Sequence, residues 1–577
     1  MNFELQTLFA KAYQLQQQNE LNQAIDVYDK LLALSPLHPE ALQFMALAQA
    51  QLGNMKEAIS YFQKALALRP EDENLHNNIA NAYKKAGLLD NAVRHYQEAL
   101  RLNPRYAQAH NNLAVLYDAN KDYKLALYHY REAVHAQPDF LPAHYNLGLL
   151  LLKKGQLHAA KRQFTNVISL YPNHLDAHFY LGILNLQEDN LDEAEQSFQA
   201  VLGIDSEHIE ALINSGVIAL KRDEGQKAVD YFTKALALDE RNIEARNNLA
   251  ATFMHYDRFE NALMHYDVLL EKEPQNIEYL YNSGVAQMTL GHLQEATNYF
   301  EQILALDDAH FASLTNLAAI YIRLEDHASA IDFLKRALQI QPEDSSARFM
   351  LNALTNEDKN PEPSKDYVTN LFNNYALYYD KHMQETLHYK LPNYIAQVLH
   401  RLHCLQAKRT LDLGCGTGLC GVVLRELSEH LTGIDIAPKM LSIAREKGIY
   451  DELIEADLLS YLQGNKETFN LAVAADVLPY LGDLSQLFVA VRANLADNGL
   501  FLFTSEISVQ QDWCLQSNAR FCHHPDYIQN LARKCHFRLL HQEKITARTQ
   551  NQEAVPVMLY VLKANPDPEK TKARQAD

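Results

Sequence analysis

Apolar and polar positions alternate with a helical period over the first 355 residues, and the pattern repeats every 34 residues. Alanine recurs at 24, 58, 92, 126, 160, 194, 228, 262, 296 and 330. A small residue recurs at 12, 46, 80, 114, 148, 182, 216, 250, 284 and 318. Proline stands at 36, 70, 104, 138 and 172, then at 274 and 342, with Ser206, Glu240 and Asp308 in the missing places. The pattern predicts ten helix pairs. The small positions mark where paired helices cross closely, and proline opens the turn into the next pair, where its missing N–H costs nothing. One pair cannot bury its apolar face alone, so the pairs stack into a superhelical solenoid with a long concave groove. EDSSARFMLNALT (343–355) reads as a capping helix, which gives an all-α array over 1–355.

The period then changes. After a polar, proline-bearing linker (356–364), apolar runs appear at RTLDLG, HLTGID, DELIEAD, FNLAVAAD, GLFLFTS, FRLLHQE and VPVMLYVL. Helical patterns separate most of them, which predicts an α/β domain with a parallel sheet over 365–564. The last two runs have a short connection and predict an antiparallel hairpin. Residues 565–577 read as a disordered tail.

The chemistry concentrates in LDLGCGTGLCG (411–421). An apolar run ends at Asp412, and glycines follow at 414, 416, 418 and 421. This is a nucleotide loop: glycine admits a close ligand, and the following helix offers free N–H groups. Gly416, Gly418 and Gly421 also fit the dinucleotide fingerprint. Three acids favour S-adenosylmethionine over a nicotinamide cofactor. Asp412 would repel a pyrophosphate but suits the amino group of a methionine moiety. Asp435, closing LTGID, suits two ribose hydroxyls, although nicotinamide folds place an acid there too. Asp457, in EADLL, suits an adenine amine. Ile436 and Leu458 flank these acids in the expected cofactor site.

The 577 residues exceed one core. Net charge is −20, of which about −16 falls in residues 1–350. Such a surface disfavours nucleic acid and anionic membranes. MNFELQTLFAK lacks the pattern of a signal peptide, and no apolar run reaches spanning length. Six cysteines, none in C-x-x-C spacing, suggest reduced thiols in a cytoplasmic protein. His76, His110, His144 and His178 recur in register without an acid or cysteine at the same spacing, so packing is expected there and no metal.

The period and its small and proline positions match the tetratricopeptide (TPR) signature. LFNNYALYYDKHMQETLHYKLP, TLDLGCGTGLCG, YDELIEADLL, AADVLPYLGDL and GLFLFTSE resemble class I methyltransferases, and more closely bacterial predicted methyltransferases with N-terminal TPR repeats. The resemblance implies a Rossmann-like class I domain, S-adenosylmethionine as cofactor and methyl transfer as the activity. Position then nominates further residues. Asp476 and Tyr480 follow the fourth strand, at the edge where ligands bind, and are expected near the methyl group as catalytic residues, Asp476 also touching the cofactor; relatives in ubiquinone biosynthesis often carry histidine where Tyr480 stands. Residues 373–383 form an expected lid, with Tyr375 and Tyr379 facing a sulfonium. Arg520, His523 and Tyr527 mark an acceptor pocket, with His523 as a candidate base.

In the array, Asn78, Asn112, Asn146, Asn214, Asn248, Asn282 and Asn316 share one repeat position. Such a ladder suits an extended peptide backbone, as in the TPR array of O-linked N-acetylglucosamine transferase. The expected function is therefore methyl transfer to a protein or peptide recruited by the array. The alternatives are a small-metabolite methyltransferase with a docking array, and a TPR scaffold with a non-catalytic methyltransferase-like domain.

Overall fold

The computed structural model describes residues 2–356, 362–404, 406–509, 511–550 and 553–566. Most of the expected linker and tail lies outside these residues. The chain divides into two compact units, Met1–Asn248 and Leu249–Asp577. The boundary falls within α15 (Ile243–His255) of a helix series that runs from α1 (Asn2–Gln17) to α20 (His327–Ile340).

In the first unit, paired helices meet where the small residues were expected. A Cβ on Gly148, Gly182 or Gly216 would stand 2.8, 2.7 or 2.6 Å from the ring of Phe164, Phe198 or Phe232. Each ring belongs to the second helix of the same pair and is fully buried. Ala12, Ala80 and Ala114 share clusters with Tyr28, Tyr96 and Tyr130 in the same way. A turn between paired helices takes the left-handed backbone at Asn19, Gly53, Gly87, Lys121, Gly155, Asp189 and Asp223, again 34 residues apart.

The recurrent histidines fasten the turns. Nε2 of His76, His110, His144 and His178 faces the carbonyl of Pro70, Pro104, Pro138 and Pro172, at 3.1, 3.1, 2.9 and 2.7 Å. Arg246 does the same for the carbonyl of Glu240 at 2.7 Å. The other ring nitrogen of His76 meets Nδ1 of His95 at 3.1 Å, and that of His110 meets Nδ1 of His129 at 2.9 Å. A carbonyl only accepts, so Nε2 of His76 and His110 carries the proton. The facing pair then holds one proton between its two Nδ1 atoms. Burial lowers the pKa of His95 and His110, and it brings His129 down to about 4, helped by His110. One repeat on from His129, Gln163 fills the place, with Oε1 2.8 Å from Nδ1 of His144.

The second unit continues the array through α19 (Phe311–Arg323) and α20 to the cap α21 (Ser345–Thr355). The close crossing recurs at Gly284, 2.8 Å from the Phe300 ring. Then come α22 (Lys365–Lys381), a π-helical turn (His382–Thr386) and α23 (Leu391–Arg401). The sheet domain follows as β1 (Ala407–Leu413), α24 (Gly421–Glu426), β2 (Ser428–Asp435), α25 (Pro438–Glu446), β3 (Glu452–Glu455), α26 (Leu458–Gly464) and β4 (Phe469–Ala474). It ends with α27 (Ser485–Asn494), β5 (Leu495–Ile507), β6 (Trp513–Leu515), β7 (Phe521–His523), α28 (Pro525–Lys534), β8 (Phe537–Gln550) and β9 (Glu553–Ala564).

Strands β3-β2-β1-β4-β5 run parallel in that spatial order. β9 lies antiparallel along β5, with β8 outside it, so the expected closing hairpin is present. The sheet is buried on both faces. Leu411, Leu413, Ala472, Ala474, Phe501 and Phe503 enter one cluster, and Leu431, Leu471, Val473 and Leu502 the other. The β6–β7 hairpin was not expected. It attaches to the last residues of β5, with Glu506 opposite Cys522. Strands of three residues are too short to show a period of two.

Two predictions follow from the array. Gly182→Val drives a branched side chain into the Phe198 ring and should cost about 1–3 kcal/mol of stability in urea denaturation. The histidine pairs make stability depend on pH. The folded pKa values of His95, His110 and His129 lie below the ordinary value of about 6.5, so the unfolded chain binds more protons as pH falls. The contribution of these histidines to stability is full above about pH 6.5 and declines toward pH 4, by on the order of 2 kcal/mol. His95→Gln with His129→Gln, copying Gln163, should flatten that decline in denaturation curves taken at pH 7.5 and 5.

Candidate functional site

The chain order reverses between β1 and β4, and their C-terminal ends open the crevice where such sheets hold ligands. The loop after β1 carries Gly414, Gly416 and Gly418 at φ 66°, 55° and 87°. A Cβ on Gly414 would stand 2.5 Å from Val477, so the two loops touch there. A Cβ on Gly416 meets nothing within 4 Å, which leaves open space above that residue.

The expected cofactor acids occupy three different settings. Asp435 ends β2 and is 8% exposed; Oδ2 accepts from Gly416 N at 2.8 Å and Oδ1 from Ala437 N at 2.9 Å. Burial raises its pKa against these backbone donors. Ile436 follows it, half-buried. Asp412 lies deeper, 1% exposed, and accepts from the Tyr450 hydroxyl at 2.7 Å. Burial pushes its carboxyl up to about 7, Tyr450 works against that, and Asp435 adds to it. Asp457 caps α26, whose first residue is Leu458: Oδ1 accepts from Ser460 N at 3.0 Å and faces Lys365 Nζ at 3.2 Å.

The expected lid is helical. α22 lies over the segment after β2, with Phe372, Ala376 and Tyr379 against Ala437, Met440 and Ile443. Asp380 fixes its end: Thr417 of the glycine loop donates to one carboxylate oxygen, and Lys447 Nζ stands 2.5 Å from the other. Tyr375 and Tyr379 meet edge to face at 5.1 Å. Phe372 meets Tyr480 at 5.0 Å. Burial raises the Tyr379 phenol well above its ordinary value and brings Tyr375 to about 12. Asp476, Tyr480 and Cys420 lie within the electrostatic reach of Tyr379, so the tyrosines stand between the glycine loop and the end of β4.

Under these rings lies a buried charge network. Asp476 takes the left-handed backbone at φ 58° and donates its N–H to Thr504 Oγ1 at 2.9 Å. Its Oδ1 pairs with Arg520 Nη2 at 2.7 Å and its Oδ2 with Arg548 Nη1 at 2.8 Å. Glu506 Oε1 receives Arg520 Nε at 2.8 Å and Arg548 Nη2 at 3.2 Å. Arg520 Nη1 also donates to the Tyr480 hydroxyl at 2.8 Å. The structure thus brings Asp476, Tyr480 and Arg520 together and adds two residues the sequence reading did not single out, Glu506 and Arg548. The acid closing GLFLFTSE was a visible signal for Glu506. Arg548, within β8, gave none.

His523 and Tyr527 stand elsewhere. His523 is 1% exposed inside the hairpin, with Nε2 toward the carbonyls of Leu481 and Gly482 at 3.0 and 2.9 Å and Nδ1 2.8 Å from Ser505 Oγ. Burial lowers its pKa to about 4. Tyr527 donates to Asp483 at 2.7 Å and accepts from Leu484 N. Both hold the loop after β4. His382, in the π-helical turn, brings an imidazole to the tyrosines: its Nδ1 and the Tyr375 hydroxyl share a hydrogen bond.

The end of the array reaches the same region. Phe349 and Ala353 of α21 pack with Tyr367, Trp513, Leu515 and Phe521. Phe349 lies 5.1 Å from Tyr367 and 6.2 Å from Phe521. Arg323, an exposed residue, closes α19 with Tyr375 and Tyr367 as its electrostatic neighbours.

The ladder asparagines are all half-buried. In the first unit, the Asn112 amide donates to Asn77 at 3.2 Å, Asn146 to Asn111 at 3.0 Å and Asn214 to the Glu210 carbonyl at 2.7 Å. In the second, Asn282 donates to the Tyr266 hydroxyl at 3.0 Å. Asn78, Asn248 and Asn316 hold the equivalent places. Among the described residues no group of three or more His, Cys, Asp or Glu could hold a metal, and no helix is long and apolar enough to cross a membrane.

The raised Asp412 pKa makes a prediction. An unfolded aspartate titrates near 3.9, so the fold favours the protonated form and loses stability as pH rises from about 4 through about 7. Asp412→Asn removes that cost while its amide oxygen still accepts from Tyr450. The variant should be more stable than the parent at pH 8 by on the order of 1 kcal/mol or more, with a flatter dependence on pH in calorimetry.

Comparison with known proteins agrees with this architecture. Residues 411–501 match a methyltransferase domain family. Residues 9–73, 77–139 and 145–209 match one tetratricopeptide repeat family, and 287–354 match another. A protein of Geobacillus sp. (strain WCH70) that carries a methyltransferase name is 28% identical over 152 residues, 25% of this chain and 61% of that protein. A ubiquinone biosynthesis O-methyltransferase of Pasteurella multocida is 23% identical over 142 residues, 22% of this chain and 59% of its own. The chain thus spans about three-fifths of these relatives. The solved structure of YrrB, described as a TPR protein with an unusual peptide-binding site, is 29% identical, covers 32% of this chain and 95% of its own, and has a TM-score of 0.30. The chain is a tetratricopeptide-repeat array followed by a Rossmann-like methyltransferase domain.

Proposed function

We propose that the protein is a cytoplasmic S-adenosylmethionine-dependent methyltransferase whose array recruits a protein or peptide for methylation. The observation that carries the cofactor is the open space over Gly416 beside the carboxylate of Asp435. Backbone N–H groups of Gly416, Ala437 and Ile436 reach Asp435, and a carboxylate with about four lone-pair sites keeps one for a hydroxyl. Gly414, Gly416 and Gly418 would line the cofactor, and Asp412 would act from beneath the loop. Asp457 keeps an oxygen beyond its capping role. When bound, the cofactor supplies a methyl group activated on a sulfonium.

The residues of this chain then have to orient the acceptor and exclude water. The tyrosines of α22 offer aromatic faces to a cation. Both oxygens of Asp476 are paired with guanidiniums, so its part is to hold the wall of the site. Tyr375 with His382 supplies an imidazole that can take a proton from the acceptor. Arg323 and Tyr367 support an acceptor that arrives along the array, because they bring its end to the tyrosines. The ladder asparagines give that route polar groups for a peptide backbone.

Two measurements test the proposal together. Asp435→Ala should weaken S-adenosylmethionine about tenfold or more, the loss expected for hydrogen bonds to a charged group; an unchanged dissociation constant in calorimetry refutes the site. Methyl-labelled cofactor with purified protein and a lysate of the source cell should place label on protein. Label confined to small molecules would instead support a metabolite enzyme with a docking array.

A further inference from the structure

The β6–β7 hairpin places Cys514 directly opposite Cys522. Opposed residues of an antiparallel pair have Cα atoms about 4.5–5.5 Å apart, inside the span of about 4.4–6.8 Å that a disulfide bridges. Their side chains share one face of the ribbon, and the two sulfurs stand 2.9 Å apart. Cys514 is half-buried, so a small reagent reaches it, whereas Cys522 is 2% exposed. Burial and the neighbouring sulfur push the Cys522 thiol up to about 12. Cys514 is therefore placed to attack first and Cys522 to resolve.

We propose that Cys514 and Cys522 form a reversible disulfide by exchange with a low-molecular-weight disulfide, RS–SR. The Cys514 thiolate attacks one sulfur of RS–SR; the S–S bond breaks, RS⁻ leaves and takes up a proton from solvent. Cys522 then gives its proton to solvent, its thiolate attacks Cys514 Sγ in the mixed disulfide, and the second RS⁻ leaves and is protonated in turn. Two protein thiols are oxidised, and RS–SR is reduced to two RSH.

The position gives the bond a consequence. The hairpin carries Arg520, which holds Asp476, Glu506 and Tyr480, and its Trp513, Leu515 and Phe521 pack against α21. A bond between β6 and β7 staples the strip that joins the charge network to the end of the array.

The test uses the full-length protein, incubated with excess oxidised glutathione at pH 8, then denatured and alkylated. Two of the six thiols should be lost. Trypsin cuts after Arg520, so the bond should appear as two peptides joined through Cys514 and Cys522. Fluorescence of Trp513, the chain's one tryptophan, should fall and return with dithiothreitol. Cys522→Ser should stop at the mixed disulfide on Cys514, and Cys514→Ser should leave Cys522 reduced. Full alkylation of both residues in the parent protein overturns the proposal. So does a glutathione adduct that persists on Cys514 beside a free Cys522, or a bond to any other cysteine.

Discussion

The C-terminal edge of the sheet in the methyltransferase domain depends on one interaction, the pairing of two carboxylates with two guanidiniums beneath the strand ends. Asp476 comes from the end of β4, Glu506 from β5, Arg520 from the β6–β7 hairpin and Arg548 from β8. Side-chain exposures of 11%, 8%, 15% and 6% leave little water to solvate any of the four. Each charge therefore requires the others. Removing one member leaves a buried charge uncompensated, which costs several kcal/mol, about 3–5 for a broken buried pair. The network need not add net stability to serve here. It fixes where four separate segments must meet, and it holds the left-handed backbone of Asp476 in place.

The fold was legible because its signals are local and repeated. Ten copies of one spacing announce the array, and seven apolar runs announce the sheet. Even the finer prediction, a close crossing at the small residues, follows from size alone: where the partner is Phe164, Phe198, Phe232 or Phe300, only glycine leaves room. The left-handed turn position is harder to read. Gly, Asn, Lys and Asp all occupy it, since the turn is enforced by the packing of the pair.

The site was legible by halves. The glycine loop and its acids lie within one stretch of about fifty residues, so spacing can rank them. The charge network joins residues 476 and 548, and no local pattern reports a meeting across that distance. His523 shows the opposite case. It sits beside Arg520 in sequence, yet alternation along β7 turns it toward the carbonyls of Leu481 and Gly482. His382 escaped notice because a helical period does not anticipate the π turn that carries it.

α22 bears on how the array and the chemistry are connected. Its first turn holds Tyr367, packed against Phe349 and the core of the last repeat. Its last turn holds Asp380, bound to Thr417 of the glycine loop and to Lys447. Between them stand Phe372, Tyr375 and Tyr379. Seventeen residues of helix span about 25 Å and behave as one stiff element. A displacement of the cap at one end must either move the tyrosines or break the apolar contacts around Tyr367. The glycine loop and the end of the array are thus tied to one rod, and any movement of α22 works against both attachments at once. A partner that loosens the contacts at Tyr367 would relieve one of them, which is how a solenoid could act on a site it does not itself contain.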